Sequence, residues 1–251
     1  MGPQIDLQAV SGAAPDPPDT SPRRIRLLPG AIAGVETNYY VLGVGARHAP
    51  TRHPARARVF LFTCGAGGVR TADAVFPFTE VAGFAAPGNA PVVITATFAP
   101  LEYLEILIDL QEREVAHLLP QGPYFVLYSR CEAYTEAIKS ARTISRTIVP
   151  PKTIPRFCMG SVEALGPDAV ASHAHPMLEQ LFFGLPGNAC VVTADDAEAV
   201  LGDRALLHIP LGAWHGARVG EGSRLHYIWM DFFTQEEDLA YLQAHHTPIK
   251  G

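Results

Sequence analysis

Two histidines one residue apart, His173 and His175, stand in the stretch SHAHPMLEQLFFGLPG, and Glu179 follows four residues after the second. Side chains alternate across a β-strand, so both imidazoles would share one face while Ala174 points away. The intervening Pro-Met-Leu allows a turn. After it, Glu179, Leu181 and Phe183 share one face of the next strand, and Gln180 and Phe182 the other. With the first of these faces turned inward, Glu179 sits beside the imidazoles over an apolar wall. A further histidine, His215, closes the stretch PLGAWH, where Pro210 and Gly212 shape a turn. Three neutral imidazoles and one carboxylate suit a single divalent ion such as Mn, Fe, Ni, Co or Zn, and leave room for water or substrate, as a catalytic site requires. A lone His-x-His is commonly just a polar strand face. The pair, the carboxylate and the Pro-x-Gly-x-x-His segment occur together in a β-rich region, and the conjunction predicts His173, His175, Glu179 and His215 as metal ligands.

These residues need a β framework, and the chain reads as one. From Arg24 onward, short runs rich in β-branched and aromatic residues, such as ARVFLFTCGAGGV and APVVITATF, are bounded by Gly or Pro at barrel or sandwich spacing. Residues 1–23 lack periodicity and read as a flexible N-terminal arm or as an extended strand on a neighbour. Residues 24–125 form a first β unit, 126–150 a linker that includes the polar stretch CEAYTEAIKSA, and 151–233 a second β unit. A short helix is expected at QEREVAHLL. The tail 234–251 opens with Thr234 and Glu237 in a capping-box spacing, which predicts a short amphipathic helix. His245 and His246 in that tail read as solvent-facing.

Charged residues make up only 18% of the chain and Gly and Pro number 22 each, which favours a turn-rich globular protein over disorder. A formal charge of -6 provides no basic stripe for phosphate contacts, so nucleic acid is excluded as a partner. The four cysteines form no CxxC, which argues against a zinc ribbon or disulfide framework and for a reducing compartment. With neither a secretory pattern nor a long apolar run, the chain reads as soluble and cytoplasmic, without a membrane partner.

The two halves look alike. Around RVFLFTCGAGGV and VAGFAAPGNAP the first half repeats the layout of EQLFFGLPGNACVV and LLHIPLGAWH, with Arg58 falling where Glu179 falls and Pro91 roughly where His215 does. Only the second half keeps ligand-type side chains. HAHPMLE and PLGAWH resemble the two motifs of the cupin family, His-x-His followed after three or four residues by Glu, and Pro-x-Gly-x-x-His. The resemblance implies an all-β bicupin, with two small antiparallel jelly-roll barrels, few short helices and a metal-free first barrel.

The segments ARTISRTIVPPKTIPRFCMGSVEALGP, HAHPMLEQLFF and GEGSRLHYIW further resemble the second barrel of the 5-keto-4-deoxyuronate isomerase family, related to 5-deoxy-glucuronate isomerase. That resemblance implies an isomerase acting on a keto sugar acid, with a base moving a proton between neighbouring carbons. Glu163, His226 and Tyr227 are the candidates for proton transfer. Trp214, Leu181, Phe183 and Arg156 are the candidates for substrate contact, and Lys152, Arg218 and Arg224 lie near enough in sequence to serve an anionic substrate. The layout is also similar to ureidoglycine aminohydrolase, and iron-dependent dioxygenases and metabolite-binding cupins stay open as alternatives. Unpaired strand edges predict a homo-oligomer.

Overall fold

A computed structural model describes residues 5–10, 21–118 and 122–240. The chain divides into two compact units, one of Val10–Arg130 and the other of Met1–Ala9 together with Cys131–Gly251. Its elements run in the order β1 (Asp6–Ala9), β2 (Arg23–Leu27), β3 (Val35–Leu42), β4 (Arg47–His48), β5 (Arg56–Arg70), β6 (Val75–Phe78), β7 (Ala82–Pro87), β8 (Val93–Asp109), α1 (Glu112–Leu118), β9 (Tyr124–Leu127) and β10 (Ala133–Tyr134). Then follow β11 (Ile144–Ile154), β12 (Phe157–Leu165), β13 (Asp168–His173), β14 (Leu178–Gly184), β15 (Cys190–Ala194), β16 (Ala197–Leu201), β17 (Ala205–Ile209), β18 (His215–Val219) and β19 (Arg224–Phe233). All of the strand pairing is antiparallel, as expected for an all-β chain of this kind. No helix among the described residues is long and apolar enough to cross a membrane.

In the Val10–Arg130 unit the long strands β5 and β8 form the backbone of one sheet, ordered β2-β3-β8-β5-β7-β9, with β4 on β8 and β6 on β5. Register shifts between Phe62 and Gly67 let these strands bend around an aromatic core containing Phe60, Phe62, Phe84 and Tyr103. Gly65, at φ +96°, lies where a Cβ would come within 2.0 Å of the Pro100 carbonyl oxygen, so the bend requires glycine. Arg58 is buried here against Glu105, 3.4 Å away, and also donates to the Thr51 carbonyl.

The other unit holds a seven-stranded sheet, ordered β1-β17-β14-β19-β12-β11-β10, and a four-stranded sheet, ordered β13-β18-β15-β16. Their facing sides share a core: Val162, Phe182, Leu207 and Tyr227 come from the first, and Val170, Val192, Ala217 and Val219 from the second. The opposite face of the larger sheet is apolar and buried too, with Leu181, Phe183, Ile228 and Met230 each at most 2% exposed. Gly160 permits a close approach, because a Cβ there would lie 2.3 Å from both the Arg146 carbonyl oxygen and the Trp229 ring.

Three expectations about the chain's organisation need correction. The arm expected over residues 1–23 contains β1, which pairs with β17 from Asp6 opposite His208 to Ala9 opposite Ala205, and it reaches into β2. Pairing of this kind satisfies backbone groups that would otherwise be left open on the edge of β17. The linker expected over 126–150 is largely structured: it contains the end of β9, all of β10 and the start of β11, because strand pairing overrides the modest helix propensity of CEAYTEAIKSA. At the C-terminal end, Thr234 Oγ1 and the Gln235 N–H both bond Asp238, at 2.6 and 2.8 Å, so Asp238 takes the part expected of Glu237. The remainder of that helix, with His245 and His246, lies outside the described residues.

Because the atoms met by a Cβ at Gly160 belong to backbone and to a packed indole, Gly160→Ala is expected to cost about 1–3 kcal/mol. Urea unfolding with an unchanged m-value is the measurement.

Candidate metal centre

The histidines converge because β13 and β18 pair with His173 directly opposite His215. A register shift between Val170 and His173 turns both of these inward although they are an odd number of residues apart, which is the usual effect of a β-bulge. His175 follows in the turn after β13. The ring centroids lie 4.4 Å apart for His173 and His215, 4.9 Å for His173 and His175, and 5.4 Å for His175 and His215. One ring nitrogen from each lies within 4.8 Å of the others, the only such metal-type grouping of three among the described residues.

Backbone carbonyls orient two of these rings. His173 Nδ1 lies 2.8 Å from the Ala171 oxygen and His215 Nδ1 lies 3.0 Å from the Ala213 oxygen. A carbonyl only accepts, so each Nδ1 carries the proton and each Nε2 is left with its lone pair. This is the arrangement that prepares a neutral imidazole for a metal.

Glu179 is not with them. On β14, Gln180 and Phe182 face the cavity, and Glu179 projects from the other side of the sheet, where its Oε2 meets His208 Nε2 at 2.8 Å. The period-two alternation of the strand puts consecutive residues on opposite faces. Gln180 fills the inward position. Its Nε2 donates to Asp231 Oδ1 at 2.8 Å, whereas its Oε1 is buried and has no hydrogen-bond partner. A buried carbonyl oxygen left without a donor is costly, and coordination by a cation would relieve that cost. His173, His175 and His215 therefore fit a divalent ion, and Gln180 offers a candidate oxygen on the same cavity wall. None of the four side chains carries a formal negative charge, so an ion held by them would retain its full charge.

The surrounding cavity has a volume of about 360 Å³, the scale of a small-metabolite site. Tyr227, a candidate for proton transfer, lines it; burial raises its phenol well above the ordinary range, and the nearby charges of Glu136 and Asp231 act in the same direction. Glu163 and His226 do not line it. They sit opposite each other on the outer faces of β12 and β19, with Glu163 bonded to Arg224 at 2.5 Å and 4.0 Å from His226. Leu181 and Phe183 share that outer side of the sheet with Glu179. Trp214 is 61% exposed and absent from the lining, and Arg156 borders a separate small cleft together with Lys152. Arg218 pairs with Glu198 at the surface.

The lining instead includes residues from the expected linker: Glu132, Tyr134, Glu136, Ile138 and Lys139. The first four alternate at every second position, a signal hidden in the sequence by polar side chains that read as solvent-exposed. Likewise the motif spacing of three or four residues after His175 allows Gln180 as well as Glu179.

The fold was then compared with solved structures. An IolB-like protein from Salmonella typhimurium is similar with a TM-score of 0.72 at 12% identity, over 92% of this chain and 93% of that one. A cupin 2 conserved barrel domain protein from Leptotrichia buccalis is similar with a TM-score of 0.60 at 12% identity, over 90% and 96%. The chain has the cupin fold. An oxalate decarboxylase from Lactobacillus farciminis, in a formate complex, is also similar to this chain with a TM-score of 0.65 at 13% identity, over 86% and 81%. No family model and no curated protein matches the sequence.

If Gln180 is the fourth donor, Gln180→Leu lowers divalent-metal affinity by at least about tenfold, the lower range for even an outer partner of a metal site. Glu179→Gln leaves it unchanged; equilibrium dialysis with metal analysis reads both. A second prediction concerns acid. Burial lowers His226 from 6.5 to about 4, and Glu163 is held below the usual carboxylate range because its burial, the largest single effect, is outweighed by the bond to Arg224 together with the charges of His226, Arg224 and Arg146. Both groups bind protons more readily when unfolded, so the stability they contribute is complete above the unfolded pKa values and lost as pH falls. For His226 the window runs from 6.5 down to about 4. Across it, His226→Gln is expected to flatten the pH dependence of urea unfolding.

Proposed function

We propose that the protein is a divalent-metal-dependent enzyme that isomerises a small hydroxy-carbonyl metabolite of the keto sugar type. The observation that carries the metal dependence is the buried Gln180 Oε1, partnerless on the wall of the cavity that also receives the three imidazoles. A divalent ion held by His173, His175, Gln180 and His215 would act as a Lewis acid toward a carbonyl oxygen, supporting the negative charge that develops when the neighbouring carbon loses a proton.

The protein's own groups suit the remainder of such a reaction. Tyr227, kept neutral by burial, would donate a hydrogen bond to a substrate oxygen. Glu136 and Asp231 are carboxylates on the cavity wall able to hold a migrating proton. Phe182 and Trp229 exclude water from one side and provide an apolar surface for carbon atoms. Solved cupins include an oxalate decarboxylase, which supports an enzymatic use of this fold.

Protein purified without chelator should contain about one divalent ion per chain, and His173→Ala and His215→Ala should lose it. Loaded protein should interconvert keto and aldo sugars without releasing ammonia or consuming oxygen. Ammonia release would assign a hydrolase instead, and oxygen uptake with Fe(II) a dioxygenase. A wild-type protein without stoichiometric metal would overturn the proposal.

A further inference from the structure

We propose that Glu136 sets the charge selectivity of this cavity, by engaging its lysine and adding its own carboxylate, so that the substrate is an uncharged hydroxy-carbonyl compound rather than a sugar acid. The inference rests on the metal-dependent reading above and goes beyond it in naming the class of substrate.

Among the described residues, Lys139 is the only lysine or arginine on the cavity wall. Its side chain is 6% exposed, and its ammonium is already committed: it bonds Glu136 Oε2 and donates to Ser145 Oγ at 2.8 Å. An ammonium has three donors, so one is left, enough to bond a hydroxyl or carbonyl oxygen. Its charge, however, is matched by Glu136, leaving none of it for a substrate carboxylate. Two further carboxylates border the same space, Asp231 in the interior and Glu132, which is exposed at the rim. The arginines that would attract an anion are elsewhere: Arg224 is bonded to Glu163 on the outer face of the sheet, and Arg218 is paired with Glu198 at the surface.

The cavity phenols respond to this distribution. After burial, the effects that raise both Tyr134 and Tyr227 include the charges of Glu136 and Asp231. An anionic ligand would meet the same field, which opposes the attraction of a divalent ion held by the imidazoles. An uncharged ligand would accept the free Lys139 donor and a Tyr227 hydroxyl without opposing any charge.

The test uses cobalt-loaded full-length protein and two probes of equal size, glycolamide and glycolate, which differ in charge and share a hydroxyl beside a carbonyl. Binding is read from changes in the visible cobalt spectrum, in neutral buffer where the imidazoles are free to hold the metal. Glu136→Gln, which frees the lysine charge and removes one negative charge, should raise the affinity for glycolate relative to glycolamide by about tenfold, the effect of one unit charge close to a ligand. Glu132→Gln, on the exposed rim where folding is insensitive to it, should shift the ratio in the same direction by a smaller factor. A normal cobalt spectrum with the same probe ratio in wild type and both variants overturns the charge-selectivity inference alone. Absence of a cobalt spectrum in the wild type overturns the metal reading and this inference with it.

Discussion

The register of β14 between β17 and β19 is the constraint on which the site depends. Gln180 lies opposite Asp231 on one neighbour and Ile209 on the other, and all three face inward. Glu179 and Leu181 therefore face outward with His208. Across the same sheet Tyr227 lies inward opposite Val162, and His226 outward opposite Glu163. Since strand side chains alternate strictly, a slip of one residue would exchange every one of these positions. Ladder hydrogen bonds and two buried faces hold the register, and the available chemistry follows from it.

Three separated stretches assemble the cavity. The smaller sheet supplies His173 and His215 through the pairing of β13 with β18, the larger one supplies Gln180, Tyr227 and Asp231, and the segment before β11 supplies Glu136 and Lys139. Each brings a polar group into the cavity, and each has a partner: backbone carbonyls for two imidazoles, Asp231 for the Gln180 amide nitrogen, Glu136 for the Lys139 ammonium. The Gln180 oxygen stands apart from this pattern of satisfaction, and it faces the histidines' cavity. In the Val10–Arg130 unit Arg58, which the sequence sets against Glu179, is buried in an ion pair with Glu105, and no grouping of three metal-type ligands occurs there among the described residues.

Much of this was legible from local pattern. The β class followed from short apolar runs between Gly and Pro, and the meeting of His173, His175 and His215 from a one-residue spacing and a turn motif. The inward face of β14 was not legible. LEQLFFG has large apolar residues at both parities, because both faces of its sheet are buried, so hydrophobic alternation carries no sign of inside and outside. Glu179 was the natural choice as the only carboxylate nearby, and it led the substrate candidates Leu181 and Phe183 to the same outer face. The role of residues 132–139 was masked for the opposite reason: their inward positions are mostly charged or polar, which local pattern assigns to solvent.

By itself, then, the sequence determined the strand-rich class and the identity of the three imidazoles, because these depend on residues close together in the chain or on turns with their own chemistry. Only the tertiary structure decided that Gln180 and the imidazoles line one cavity, that Glu163 and His226 are elsewhere, and that Lys139 is paired with Glu136 inside it. Those facts depend on which face of a two-sided sheet is turned toward which neighbour, and that is set by pairing between strands far apart in sequence.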